Sequence, residues 1–365
     1  MYYREVKILP QEALLAAGTR TVDINITDPI SKLSVFFDKR NADDTPVGHP
    51  GLCIKNILVC DGADVLYSMD GCHGQSMAYF TDNKQPPSII SYLTGQDSVQ
   101  MIELKFGRNL YDEELALDPR QYNNLQIKVE YDVALGGSCT TTQARLEIYA
   151  HCFDEKVVQP VGFLYNKLIY EFLPVAASWF YVDIPTDYPV RAVMFGDSQS
   201  TEGPNFLVDE FLLTENQGKH HLIESDMHRY QYQSGAYYDP WNDMIAVHPS
   251  AAPANFAFYV TPHFERHAHL VPAGTAVGVR EPQSAGAVMN VGLAATPQIM
   301  QGWCLGHAPF GDTFLKTFGG DSIEDCWQIE YAGSGRLAIR CMTGLLPAPW
   351  THGNIKVYSQ QIRKY

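Results

Sequence analysis

Apolar and polar residues alternate with a period of two along most of this chain, and that alternation confines it to mainly antiparallel β structure. In KLSVFFD, Leu33, Val35 and Phe37 fall on one side; in LQIKVEYDV, Leu125, Ile127, Val129 and Tyr131 do the same. RLEIYAH sets Leu146, Ile148 and Ala150 on a side that excludes Glu147 and Tyr149. Successive side chains of a strand point to opposite faces, so each run describes a strand with one buried and one solvated face. Turn-forming clusters separate the runs: Asp61-Gly62, Gly136-Gly137-Ser138, Asn216-Gln217-Gly218, Gly319-Gly320-Asp321 and Gly333-Ser334-Gly335. Helical signals are few. Pro10 to Ala17 has proline in its first turn and Gly18 just beyond its end, Tyr111 to Asp118 has the length for two turns, and FLYNKLIYEFL from Phe163 fits helix or strand.

The alternation occurs twice in the same order. Val22, Asp23, Ile24 and Pro29 meet Val182, Asp183, Ile184 and Pro189 at an offset of 160, and Ile30, Leu33 and Val35 then fall on Val190, Val193 and Phe195. Ile57, Leu58 and Val59 meet Phe211, Leu212 and Leu213, followed by Leu66 and Asp70 on Leu222 and Asp226. Leu125–Ile127 faces Trp327–Ile329, and Leu146, Ile148 and Tyr149 face Ile355, Val357 and Tyr358. The offset widens from 154 to 209 residues, which places a long insertion in the second half, between about Tyr230 and Trp327. There the sequence turns rich in Ala, Pro and Gly, as in HPSAAPANF and PAGTAVGVREPQSAGAV. Ordered matches of this kind mark a duplicated module.

Bulk properties narrow the function. With 365 residues the chain is long enough for two cores. Charged residues make up 18% against 45% hydrophobic, and the net charge of −15 opposes a polyanion, so direct nucleic-acid binding is not expected. The eight cysteines (53, 60, 72, 139, 152, 304, 326 and 341) form no C-x-x-C pair and read as reduced, buried thiols. The apolar run near the start is short and broken by Pro10, Gln11 and Glu12, which is not a secretory signal; synthesis and assembly in a cytoplasm are expected. Glu281 to Asp312 encloses no charge, but Pro282, Asn290, Pro297 and Gln298 interrupt any spanning helix.

Two modules of many short strands and long loops fit two tandem eight-stranded jelly-roll β-sandwiches, a double jelly roll with few short helices. At this point the chain resembles the double jelly-roll major capsid proteins of tailless icosahedral viruses, the lineage of adenovirus hexon and the coat proteins of membrane-containing phages. FYVDIPTDYPVRAVMF and NIKVYSQQIRKY carry that resemblance best. It implies an N-terminal arm over 1–18, a first jelly roll over 19–155, a linker over 156–178, and a second jelly roll over 179–365 with a loop insertion around 230–326. It also implies a structural, non-enzymatic subunit of a virion, assembling as a homotrimer with pseudo-hexagonal outline. Its partners would be copies of itself and neighbouring capsid proteins, with an inner membrane or minor capsid proteins reached through the arm. No cofactor is expected. Duplicated modules let a trimer present six similar faces that tile a hexagonal lattice.

Rival readings rest on particular residues. HFERHAH places His263, Glu265, His267 and His269 within seven positions, and His267 and His269 would share one face of a strand, as in bicupin-type metal enzymes. No glutamate follows at the spacing that site needs, so no metal site is assigned. GDSQS from Gly196 lacks the second glycine of a nucleophile elbow. In SMDGCHGQS, Asp70, Cys72 and His73 offer a thiol beside an imidazole, but neighbours on a strand point apart. Trp179, Trp241, Trp303, Trp327 and Trp350 could stack on sugars, the carbohydrate-binding alternative, or fill cores and interfaces. A minor capsid or spike protein would share the same pattern.

Overall fold

A computed structural model describes residues 2–136, 139–155, 157–199, 203–248, 255–272, 279–292, 299–316, 322–344 and 353–365. The first module runs through β1 (Tyr3–Leu14), β2 (Ala17–Asp23), β3 (Ile30–Asn41), β4 (Ile54–Asp61), β5 (Asp64–Met69), α1 (Gly71–Asp82), β6 (Ser88–Ser91), β7 (Asp97–Lys105), β8 (Leu125–Asp132) and β9 (Cys139–Phe153). Its strands order as β1-β9-β3-β7 on one side and β2-β8-β4-β5 on the other, the arrangement of an eight-stranded jelly roll. Val35, Phe37, Ile57, Val59, Ile127 and Ile148 fill the space between, all with no exposed surface.

The second module repeats this order. It contains β10 (Gly162–Phe172), β11 (Trp179–Ile184), β12 (Val190–Gly196), the single turn α2 (Pro204–Leu207), β13 (Val208–Glu215), β14 (His220–Asp226) and α3 (Met227–Gly235). An insertion follows, made of β15 (Trp241–Val247), β16 (Asn255–Pro272), β17 (Val279–Gly292) and β18 (Met300–His307). The module then closes with β19 (Thr313–Lys316), the turn α4 (Ile329–Ala332), β20 (Gly335–Cys341) and β21 (Ile355–Lys364). Its two layers are β10-β21-β12-β19 and β11-β20-β13-β14.

Hydrogen bonding fuses the modules. β10 pairs parallel with β5 through Asn166↔Tyr67 and Lys167↔Ser68, making one continuous eight-stranded sheet. The insertion adds to the first module, because β15 pairs parallel with β6 and extends the other layer to nine strands.

The duplication read from the sequence holds at strand level. The matched runs lie on β2 and β11, β3 and β12, β4 and β13, and β9 and β21. Asp70 and Asp226, aligned in the sequence, are the N-cap residues of α1 and α3. One match fails: the counterpart of β8 is β20, whereas Trp327 makes an isolated bridge to Val190 and Ile329 opens α4. Both side chains are buried and apolar, so they imitate a strand while closing the end of the second core.

Four further expectations change. The segment expected as an arm, 1–18, contributes β1, which pairs with β9 from Tyr3↔Phe153 to Leu14↔Ala144. Leu9 and Leu14 are buried there, and Pro10, expected to start a helix, sits at a register shift where a missing N–H removes no ladder bond. The expected linker 156–178 contains β10, which settles the ambiguous FLYNKLIYEFL as a strand. Residues 111–118 form turns, because the Asp112 carboxylate accepts from the backbone N–H groups of Arg108, Glu114 and Leu115. Finally, SMDGCHGQS opens α1 and is no strand.

Deleting residues 1–14 would strip two leucines from the core and bare the edge of β9. Each lost leucine costs about 2–5 kcal/mol, so we expect Tm to fall by roughly 10 °C or more; unfolding at the full-length temperature would restore the arm.

Candidate functional site at the junction of the two sandwiches

A dense buried polar cluster lies where α1 of the first module meets the outer face of β10-β21-β12. α1 is a poor helix by propensity, with Gly71 and Gly74 in its first turns. It forms because every residue from Gly71 to Thr81 is buried, because Asp70 accepts from the His73 N–H at 2.9 Å, and because Asn83 ends it in the left-handed region at φ 55°. Gln75 ties it to its own module by donating to the Met101 carbonyl at 3.0 Å.

The contacts to the second module run the length of the helix. At its start, the Asp70 carboxylate accepts from Lys356 Nζ at 2.9 Å and from the Tyr358 hydroxyl at 3.0 Å. One turn on, His73 Nδ1 lies 2.8 Å from Asp312 Oδ1, just ahead of β19; a carboxylate only accepts, so Nδ1 carries the proton. Gly196 makes room for this pair, since a Cβ there would stand 2.3 Å from Asp312 Oδ1. At the far end, Arg191 donates to the Thr81 carbonyl at 3.1 Å and to Gln360, whose amide reaches Thr81 Oγ1 at 3.1 Å. Phe80 stacks on Phe314 at 5.1 Å, and Met194, Phe310, Phe314 and Tyr358 of the second module belong to the first module's apolar core.

The electrostatics follow from this enclosure. Burial alone would depress His73, but the carboxylates of Asp312 and Asp70 outweigh it and hold its pKa above the ordinary histidine value. Burial lifts Asp312 above the usual carboxylate range, more than His73 lowers it, so the pair holds one proton tightly. Asp70 is lowered despite its burial, because His73 and Lys356 favour its charged form. Burial pushes the Cys72 thiol well up, which keeps it protonated and a poor nucleophile. Ser198 of the GDSQS block joins Asp70, Cys72 and Lys356 around a cleft of about 190 Å³. Cys72 and His73 therefore do sit together, on a helix and not a strand, and the His73 ring is committed to Asp312. The arrangement is a clamp.

The other sequence candidates are dispersed. His267 and His269 share the outer face of β16, His267 exposed and His269 edge-on to Trp303 at 5.9 Å; the side chains of His263 and Glu265 lie outside the described residues. Among the described residues no three His, Cys, Asp or Glu side chains converge to hold a metal. Trp241 and Trp327 are core residues whose indole N–H groups donate to Asp243 at 2.9 Å and Glu215 at 2.8 Å. Trp179 stacks on Tyr181 on the exposed side of β11, and Trp350 lies outside the described residues. The partners of Asp70 and His73 were invisible to sequence reasoning: Asp312 and Lys356 are more than 230 residues away.

Replacing His73 with Ala strands the Asp312 charge in the junction, and we expect a loss of about 3–5 kcal/mol in urea unfolding. The pH profile has a definite sign. His73 is raised on folding, so its contribution is complete below about pH 6.5 and is lost as pH rises through the folded value. Asp70 is lowered, so its contribution is present above about pH 3.9 and is lost as pH falls through the folded value. Asp312 is also raised on folding, so His73→Ala should replace the decline above about pH 6.5 by one that begins nearer pH 3.9, where Asp312 must ionise without a partner; an unchanged profile would dissociate His73 from this clamp.

No protein-family model matches the sequence, and no curated protein does. Solved structures do match. The major capsid protein P2 of bacteriophage PM2 aligns with a TM-score of 0.54 at 10% identity, covering 99% of this chain and 98% of that one. A chain of the atomic structure of Sulfolobus Turreted Icosahedral Virus gives 0.53 at 13% identity over 95% and 94%, and one from the quasi-atomic model of the PBCV-1 virus capsid gives 0.51 at 9% over 99% and 93%. At such identities the likeness speaks for architecture, and it extends over both modules: this chain has the double jelly-roll fold of these capsid proteins.

Proposed function

We propose that this chain is the major capsid protein of an icosahedral virus, a structural subunit without enzymatic activity that resides in the virion shell. The observation that supports this most is the end-to-end match of two fused modules with capsid chains of nearly equal extent, 99% of this chain against 98% of the bacteriophage PM2 protein. The physical logic agrees with it. Two similar sandwiches held side by side by a buried clamp give a rigid block with repeated lateral faces, which a homotrimer can multiply to six.

Partners follow in the same terms. Copies of this chain and neighbouring capsid proteins would cover the lateral faces, while the net charge of −15 opposes packing against the genome itself. Any contact that residues 1–18 make with an inner membrane or minor capsid proteins would run through a sheet edge and not a loose arm, because Tyr3–Leu14 pairs with β9. Native mass spectrometry of the purified protein should give a metal-free species of three times the 40.8 kDa chain mass. A monomer carrying one tightly held metal would overturn this function and return attention to His267 and His269.

A further inference from the structure

The equivalent helices α1 and α3 have different surroundings. α1 is buried from Gly71 to Thr81 because it is gripped between both modules. α3 buries Met227 and Gln231 but leaves His228, Arg229, Tyr232 and Gln233 exposed. The adjoining strands differ in the same way. β5 and β10 are each paired on both sides, whereas their counterparts β14 and β1 each pair on one side only among the described residues, with β13 and β9. The chain thus contains one complete junction, β5 and α1 against β10 and β21, and the two separated halves of another.

We propose that these halves meet between copies: β14 and α3 of one copy dock on β1 and β9 of a second copy, repeating the β5–β10 pairing. This rests on the capsid-subunit reading and assigns the seam of its trimer. The repeat fixes the register. β1 and β10 share a bulge, between Lys7 and Leu9 against Tyr149 and Ile148, and between Leu168 and Tyr170 against Tyr358 and Val357. Glu5 and Val6 therefore stand where Asn166 and Lys167 do. Ile223 and Glu224 stand where Tyr67 and Ser68 do, because they oppose the equivalent Leu213 and Leu212. The seam sets Glu5 beside Ile223, and Val6 beside Glu224, of the neighbouring copy.

The surface to be covered suits a partner. On the outer face of β9 and β3, Tyr149 meets Phe36 edge-on at 5.7 Å and lies beneath Lys7, with Glu147 alongside. Charge is reversed on one side only, since Asp226 keeps the acidic place of Asp70. Glu147 holds the position of Lys356, and Arg229, 3.5 Å from Asp226, holds that of His73. Because Lys356 pairs with Asp70 at the internal junction and His73 stands beside them, the repeat sets Glu147 of the next copy against Asp226, with Arg229 as the cation between the two carboxylates. Because the two surfaces differ, the contact is head-to-tail, the kind that closes into a ring when the rotation permits.

The test is a chain bearing both Glu5→Cys and Ile223→Cys, treated with a mild oxidant and run without reductant. Neighbouring strands lie about 4.8 Å apart, inside the roughly 7 Å limit for a disulfide. Covalent trimers from the double variant, and from neither single variant, are expected. A trimer in native mass spectrometry that does not cross-link would overturn the seam and leave the capsid reading standing; a wild-type chain that stays monomeric would remove both. Separately, Arg229→Glu, on the exposed side of α3, should raise the concentration needed for assembly by roughly tenfold without altering the thermal stability of the monomer, and Glu147→Arg in the same chain should restore it. Unchanged assembly by Arg229→Glu would also overturn the seam.

Discussion

The structure depends on the burial of α1 between two sandwiches. Its sequence is too glycine-rich to hold a helix unaided, and its charged groups are too deep to stand alone, so helix and junction form together or not at all. Asp70 and His73 each find a partner from the second module, at Lys356 and Asp312. Apolar side chains from that module complete the first core around them. Separating the sandwiches would leave four titratable groups without their counter-charges. The modules are therefore one mechanical unit, unlike domains joined by a polar interface and a linker.

Duplication then permits divergence. On the outer side of β2, Thr19 and Thr21 occupy the places that Trp179 and Tyr181 take on β11. The backbone order is the same, so those residues are not demanded by the fold. The insertion after α3 goes further: it leaves the second module and completes a sheet of the first through β6 and β15. Similar lateral geometry with dissimilar surfaces is what a subunit needs if its two halves must fill equivalent places yet meet different neighbours.

Much of this was legible in the sequence, for identifiable reasons. Strands with one buried face, such as β3, β8 and β9, announce themselves by alternation, and a duplicated set of them reveals the architecture. β1 was hidden because its bulge breaks the alternation around Pro10, and β10 because Leu164 and Tyr165 are both buried, which erases the period of two. α1 was hidden because long-range burial, not propensity, makes it helical. The clamp was half visible: Asp70 and His73 stood out as reactive types, but their partners are set by topology, and reading them on a strand pointed them apart.

Hydrogen exchange of the α1 amides tests the central claim most directly. If the helix is the shared core of two fused sandwiches, its amides should open only with global unfolding, at the same free energy as those of β3 and β21. Exchange of α1 by local opening, while both sandwiches stay protected, would contradict the account and make the modules independent domains in contact.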